Sequence, residues 1–159
     1  MGVIDHVTID LLRDVLLPLG AAALMGGALG VNREIRHKPA GLRTHALVAL
    51  GAALFTLAAI LVATDGGVTD RDVVSRVMQG VVAGIGFLGA GSILKGDSTG
   101  HVHGLTTAST IWVAAGLGVA CGAGLWAPTL VGVALALTVL TVGRPLEEWL
   151  HRLLPDPPP

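Results

Sequence analysis

A basic segment between two long uncharged runs constrains the fold of this chain most strongly. Residues 33–45 include the charged side chains Arg33, Glu34, Arg36, Lys38 and Arg43. The runs on either side, residues 15–31 and 46–64, contain 17 and 19 residues without an ionisable side chain. At about 1.5 Å per helical residue, each run approaches the roughly 30 Å hydrocarbon core of a bilayer. The pattern predicts two transmembrane helices joined by a loop at the membrane surface.

Two further uncharged runs set the number of spans. Residues 77–94 give 18 uncharged residues, and residues 104–143 give 40, which is too long for one span. The longer run divides within residues 121–128, because glycine weakens a helix and Pro128 is suited to the first turn of a new one. We therefore predict an all-α membrane protein, a bundle of five transmembrane helices. A mean hydropathy of +0.75 favours this class over a soluble bundle, whose helices would each carry a polar face.

The distribution of Lys and Arg predicts the orientation of the bundle. With the N-terminus outside, seven of the ten Lys and Arg residues lie on the cytoplasmic side, so we predict an N-out, C-in topology. After the last span, Leu146, Trp149, Leu150 and Leu153 share one helical face and predict a short interfacial amphipathic helix. The predicted organisation is a transmembrane domain at residues 10–143, an interfacial helix at 144–154 and a disordered tail at 155–159.

The third span is rich in glycine, which predicts close helix packing. Its glycines are Gly80, Gly84, Gly86, Gly89 and Gly91. At 100° per residue they divide between two faces, so other helices could approach this span closely on both sides. We interpret the third span as the packing centre of the domain. The alternative is a discontinuous helix that exposes backbone groups to a cavity, as in transporters.

Hydroxyl side chains cluster at the start of the fourth span. They are Thr106, Thr107, Ser109 and Thr110. We place Thr106 and Thr110 on one face with Ser109 beside them. These hydroxyls either bond back to carbonyls of their own helix or reach across to the first loop and the end of the third span.

The polar residues of the first loop form the main candidate site. This set, which we call the polar corner, is Arg33, Glu34, Lys38, Arg43, Thr44 and His45. Because a charge buried at a helix start is costly unless paired, we expect Arg43 to be paired with Glu34 or with helix-end carbonyls. The corner either holds the spans together, is recognised by a partner, or gates a polar cavity.

The sequence carries little that predicts catalysis or metal binding. Mg²⁺ is usually held by carboxylates, and the carboxylates here lie at predicted membrane edges. His101 and His103 could hold a softer metal, but two polar loop residues are the better interpretation. No nucleophile has an adjacent base, and residues 84–91 lie inside an apolar run rather than in a phosphate-binding loop. We expect no enzymatic activity, no cofactor and no metal site.

Three separated motifs resemble a known family. They are Arg33 and Glu34 with residues 38–45 (KPAGLRTH), residues 84–91 (GIGFLGAG) and residues 104–112 (GLTTASTIW). Over residues 10–143 the sequence closely resembles the membrane domain of the MgtC/SapB family. The resemblance implies a multi-pass protein of the bacterial inner membrane, associated with magnesium limitation and virulence. The name-giving member is described as restraining the membrane ATP synthase rather than carrying magnesium itself, so the resemblance implies a role of that kind. Longer members add a soluble cytoplasmic domain, so regulation by that domain is not carried over to this proline-tailed sequence.

Two hypotheses of function follow. In the first, the protein is non-enzymatic and acts through contacts in the membrane, with the lipid bilayer, a membrane-protein partner or a second copy of itself, and without nucleic acid. In the second, it transports a small solute or an ion such as Mg²⁺.

The predicted topology can be tested with fused reporters. A reporter placed after Arg152 should behave as cytoplasmic, and one placed near Thr69 should behave as external, because seven of the ten basic residues favour that arrangement. Alkaline phosphatase and fluorescent-protein fusions at the two positions provide the measurement. The reverse pattern would overturn the predicted orientation.

Overall fold

The computed structural model describes residues 10–93 and 103–154, and its main elements are five helices. They are α1 (Leu12–Ile35, with a π-helical start at Leu12–Leu16), α2 (Leu42–Ala63), α3 (Arg71–Ile93), α4 (Leu105–Gly122) and α5 (Trp126–Leu153). A short antiparallel pair, β1 (Thr64–Asp65) and β2 (Val68–Thr69), joins α2 to α3. All five helices are long and apolar enough to cross a membrane, which confirms the predicted number of spans.

Local chemistry explains where the helices begin and end. At the start of α2, the N–H of Leu42 has no partner within the helix and donates to a carboxylate oxygen of Glu34 at 3.1 Å. An acidic group is favourable at the N-terminus of a helix. The 40-residue run divides after Gly122, as predicted, and the turn contains Gly124 at a φ of 69°. Glycine adopts this left-handed conformation without a steric penalty, so the chain reverses there in few residues.

The core lies where α4 meets the other helices, since α4 contacts all four of them. Three clusters of buried apolar residues surround it, and each includes residues of α4. The clusters are Ala22, Ala49, Ala53 and Cys121; Leu29, Ala114, Leu117 and Val133; and Ala52, Ile85, Ile111 and Ala115. Alanine is the commonest residue among them, so the helix axes approach closely. In lipid, close packing of this kind is a main source of helix association.

Four glycines make the close approach of α1, α2 and α4 possible. A Cβ atom at Gly118 would overlap the carbonyl of Ala49, and one at Gly122 would lie 2.5 Å from the carbonyl oxygen of Ala53. On α1, a Cβ at Gly26 would overlap the carbonyl of His45, and one at Gly30 would lie 2.5 Å from the Cα of Leu42. The obstructing atoms are mostly backbone, which cannot rotate away. Even an alanine would therefore force these helices apart.

The prediction that α3 is the packing centre is wrong. Only Ile85 and Gly89 are buried on α3, and a Cβ at Gly89 would make an ordinary 3.6 Å contact with Ala108. At Gly80, Gly84, Gly86 and Gly91 an added Cβ would meet no atom within 4 Å. The glycine pattern identified a surface that helices could approach, but it could not show which surfaces are occupied. The alternative of a broken helix is also wrong, because α3 is continuous.

The last helix extends further than predicted. The segment predicted as a separate interfacial helix at residues 144–154 is helical as far as Leu153, but it continues α5 without a break. Pro145 lies inside this helix and removes one backbone donor, the N–H that would bond to Thr141. The predicted disordered tail at residues 155–159 lies outside the described residues.

The packing role of the glycines can be tested with two neighbouring alanine substitutions on α4. Gly118→Ala should destabilise the protein or prevent folding, because its Cβ would overlap the backbone of Ala49. Gly116→Ala meets no atom within 4 Å and should stabilise the helix by up to about 1 kcal/mol. Thermal unfolding of both variants in the same detergent gives the comparison. Equal stability would contradict the packing described here.

Candidate functional site

The candidate site lies where the end of α1 meets the starts of α2 and α4. The connection from α1 to α2 is tight, and both His37 and Ala40 adopt positive φ, at 52° and 58°. The N–H of Lys38 donates to the carbonyl of Arg33 at 3.0 Å. This turn brings the end of α1 back onto the start of α2, so that residues 33 and 45 both face α4.

Arg33 is the buried charge of the site. Its side chain is only 4% exposed, and its Nη2 donates to the hydroxyl of Thr107 on α4 at 2.6 Å. Its Nε is buried and has no hydrogen-bond partner within the described part of the chain. In the part of the chain that the structure describes, this buried guanidinium is bonded to a hydroxyl and forms no ion pair with a carboxylate. The bond to Thr107 therefore matters more than a hydrogen bond between neutral groups would.

His45 makes the second contact between the start of α2 and α4. The ring is fully buried, its Nδ1 lies 3.0 Å from the carbonyl oxygen of Gly41, and its Nε2 lies 3.0 Å from the hydroxyl of Thr110. The Thr110 hydroxyl also lies 2.9 Å from the carbonyl oxygen of Thr107. The two pairs, Arg33 with Thr107 and His45 with Thr110, therefore lie one helical turn apart on α4.

The geometry assigns the hydrogen positions of His45. A carbonyl oxygen can only accept, so Nδ1 carries a proton and donates to Gly41. In the neutral ring, Nε2 is then an acceptor, and the Thr110 hydroxyl donates to it. In the charged ring, Nε2 donates instead, and the Thr110 hydroxyl turns its own hydrogen to the Thr107 carbonyl. Both protonation states can thus be hydrogen-bonded without a change in the backbone.

The structure divides the predicted polar corner into buried and exposed residues. Arg33 and His45 are buried, whereas Glu34, Lys38, Arg43 and Thr44 are exposed. The expected burial and pairing of Arg43 is wrong, because Arg43 is exposed and Glu34 bonds to the N–H of Leu42. The first turn of α2 needed a hydrogen-bond acceptor, and the Glu34 carboxylate provides it. The buried arginine is the one at the end of α1.

The predicted hydroxyl cluster is likewise divided. Thr107 and Thr110 are buried and reach across to α1 and α2, while Thr106 is exposed. The hydroxyl of Ser109 donates to the carbonyl of Leu105 at 2.9 Å. This is the first of the two predicted roles, a bond back to its own helix. The prediction that groups Thr106 with Thr110 is wrong, because Thr107 and Thr110 are the pair that faces the neighbouring helices. The spacing of three, four and three residues from Thr107 through Thr110 and the apolar Ala114 to Leu117 identifies Thr107 and Thr110 as inward-facing.

Asn32 is a residue of the site that the sequence analysis missed. Its side-chain oxygen is buried and has no hydrogen-bond partner within the described part of the chain. In the sequence, Asn32 follows the uncharged run of residues 15–31 and precedes Arg33. This position could have identified it as part of the site.

The described residues bring together no group of three or more His, Cys, Asp or Glu side chains that could hold a metal ion. His103 is exposed, and His101 lies outside the described residues. The buried polar groups of the site therefore consist of one arginine, one histidine, one asparagine oxygen and two hydroxyls. These groups can form hydrogen bonds between helices, and they include no carboxylate to accept a cation.

Comparisons with known proteins agree with the motifs. The model of the MgtC family matches residues 19–149. The chain is 42% identical to the protein SrpB of Synechococcus elongatus over 139 residues, 82% of this chain and 76% of that protein. It is 45% identical to MgtC of Brucella abortus over 133 residues, 84% of this chain and 52% of that protein. The chain is 39% identical to MgtC of Salmonella typhimurium over 138 residues, 87% of this chain and 56% of that protein.

The chain thus spans about half the length of these two MgtC proteins. No solved structure matches it.

The contact between Arg33 and Thr107 can be tested with a matched pair of threonine variants. Thr107→Val keeps the shape of the side chain but removes the hydroxyl that accepts from the buried guanidinium, so it should cost about 2 kcal/mol of stability. Thr106→Val, its exposed neighbour, should change stability by less than about 0.5 kcal/mol. Unfolding in detergent measures both. Similar values for the two variants would show that the hydroxyl does not stabilise the charge.

Proposed function

This chain belongs to the MgtC family, and we propose that it is a non-enzymatic protein of the bacterial inner membrane that acts through contacts with other membrane proteins. The main support for the proposal is that the buried polar side chains of the site bond to other helices of the same chain. Arg33 and His45 are buried against Thr107 and Thr110, so they hold α1 and α2 on α4. The two buried side chains thus make hydrogen bonds that join helices of the fold.

The outer flank of α3 is the surface that supports contact with a partner. Ala83, Gly86 and Ala90 are exposed there, and a Cβ at Gly86 would meet no atom within 4 Å. Small residues allow a helix from another protein to approach the backbone closely, which is how helices associate in lipid. We propose this flank, centred on Gly86, as the contact surface.

The proposed partner is the membrane ATP synthase, which the name-giving member of the family is described as restraining. Several relatives carry the name MgtC, and that name together with the family match supports a role under magnesium limitation. A second copy of this chain is the other partner that the surface would fit.

Transport of a small solute or of Mg²⁺ is the alternative function. The carboxylates of the described helices lie in their end regions, at Asp14, Glu34, Asp72, Glu147 and Glu148. A magnesium pathway usually needs such oxygen ligands along the membrane interior. This arrangement favours the contact hypothesis over transport.

The proposal can be tested in inverted membrane vesicles that contain ATP synthase. Added protein should lower ATP-driven proton pumping, and Gly86→Leu should restore pumping to the level of vesicles without the protein, because the larger side chain blocks close approach. Gly84→Leu, on the other flank of α3, is the matched control and should inhibit as the parent does.

The same preparations distinguish the alternatives. Unchanged pumping in the presence of the parent would exclude the ATP synthase as the partner. Magnesium flux into proteoliposomes above that of empty liposomes would contradict the contact hypothesis and favour transport.

A further inference from the structure

An apolar groove runs between α2 and α3. Its volume is about 640 Å³, and its lining includes the small residues Gly51, Ala52, Gly80 and Gly84. Leu47, Phe55 and Leu88 are among the larger residues at its sides. Because a Cβ at Gly51, Gly80 or Gly84 would meet no atom within 4 Å, these glycines leave open space rather than a packed contact.

A polar pocket adjoins the groove at the end where α2 begins. It has a volume of about 320 Å³ and is lined by Glu34, Gly41, Arg43, Thr44 and Leu47. Leu47 lines the polar pocket and the apolar groove alike, so the two adjoin there, and we call them together the cleft. The cleft is therefore amphipathic, with one carboxylate and one guanidinium at its mouth and apolar walls beyond them.

The groove extends from near the start of α2 past the middle of the bilayer but stops short of the far end of α3. At about 1.5 Å per residue, Leu47 lies roughly 6 Å and Phe55 roughly 18 Å from Arg43 along α2. Half of a hydrocarbon core is about 15 Å. On α3 the wall continues about one turn deeper, to Val77, and stops before the far end of the helix. A spanning helix would need a groove that runs the full length of the bundle.

We propose that this cleft binds one zwitterionic phospholipid with a primary ammonium headgroup, of the phosphatidylethanolamine class. One acyl chain lies in the groove between α2 and α3. The phosphate accepts hydrogen bonds from Arg43 and from the hydroxyl of Thr44, and the ammonium donates to Glu34. The opposite charges of Arg43 and Glu34 in one pocket select this headgroup over an anionic one, because a net negative lipid would leave the carboxylate unpaired.

Headgroup selectivity can be measured on the full chain by native mass spectrometry in detergent. Titration with phosphatidylethanolamine should give a Kd at least about tenfold lower than with phosphatidylglycerol or phosphatidylcholine, which lack the primary ammonium. Equal or tighter binding of either comparison lipid would overturn the proposal.

Matched variants separate the two parts of the cleft. Arg43→Gln should weaken binding of phosphatidylethanolamine about tenfold, while Lys38→Gln, exposed in the same connection, should leave it unchanged. Gly84→Leu should fill the groove and weaken binding to a similar extent, while Gly86→Leu on the other flank of α3 should not. Binding by Arg43→Gln and Gly84→Leu at the level of the parent would overturn the assignment.

A measurement on the unaltered chain locates the lipid without relying on any variant. Phosphatidylethanolamine with a photoreactive group in its acyl chain should crosslink to peptides that contain Leu47, Phe55 or Leu88. Crosslinks confined to α5 or to the outer flank of α3 would contradict the proposal. Loss of a stable oligomer in Gly84→Leu, with lipid binding intact, would assign the groove to a second copy instead.

Discussion

The structure depends on the need to satisfy polar groups away from water. Arg33 and His45 are buried at one end of the bundle, and each finds a hydroxyl partner on α4, at 2.6 Å and 3.0 Å. An unsatisfied polar group inside a membrane protein is costly, so α4 must lie close to both α1 and α2. Glycine makes this closeness possible. Gly26 lies against the backbone of His45, and Gly118 lies against that of Ala49 one turn further along α2.

The need to pair buried polar groups also explains why other helices of the bundle cover less of the surface of α3. The hydrogen bonds of Arg33 and His45 and the close contacts of four glycines (Gly26, Gly30, Gly118 and Gly122) involve α1, α2 and α4, which form a compact unit. On α3, the buried side is limited to Ile85 and Gly89, and its two flanks remain open. One flank faces an amphipathic cleft suited to a lipid, and the other presents small residues suited to a partner helix. The two proposals thus rest on different surfaces of one helix, and variants at Gly84 and Gly86 address them separately.

Much of the fold could be predicted from the sequence, because uncharged runs of bilayer length have few other solutions. The five spans and the division of the long run near Gly122 follow from length and turn chemistry alone. The site was harder to predict. Arg33 and Arg43 flank the same turn, and composition does not show which of the two faces the bundle. That choice depends on the backbone turn at His37 and Ala40, where two residues adopt positive φ. Glycine patterns have the same limit, since Gly118 and Gly84 look alike in sequence and differ only in what lies opposite.

We propose that the buried polar residues hold helices together and do not line a hydrated pathway. Hydrogen exchange at the imidazole of His45, followed by NMR on ¹⁵N-histidine-labelled protein in nanodiscs, measures whether water reaches them. His45→Gln identifies the resonances of this residue. Because the ring is fully buried and Nδ1 donates to the Gly41 carbonyl, that proton should be retained at Nδ1 and should exchange slowly with water. Rapid exchange would show that water reaches His45 and would contradict this reading, and a proton carried on Nε2 alone would contradict the hydrogen bond from Nδ1 to Gly41.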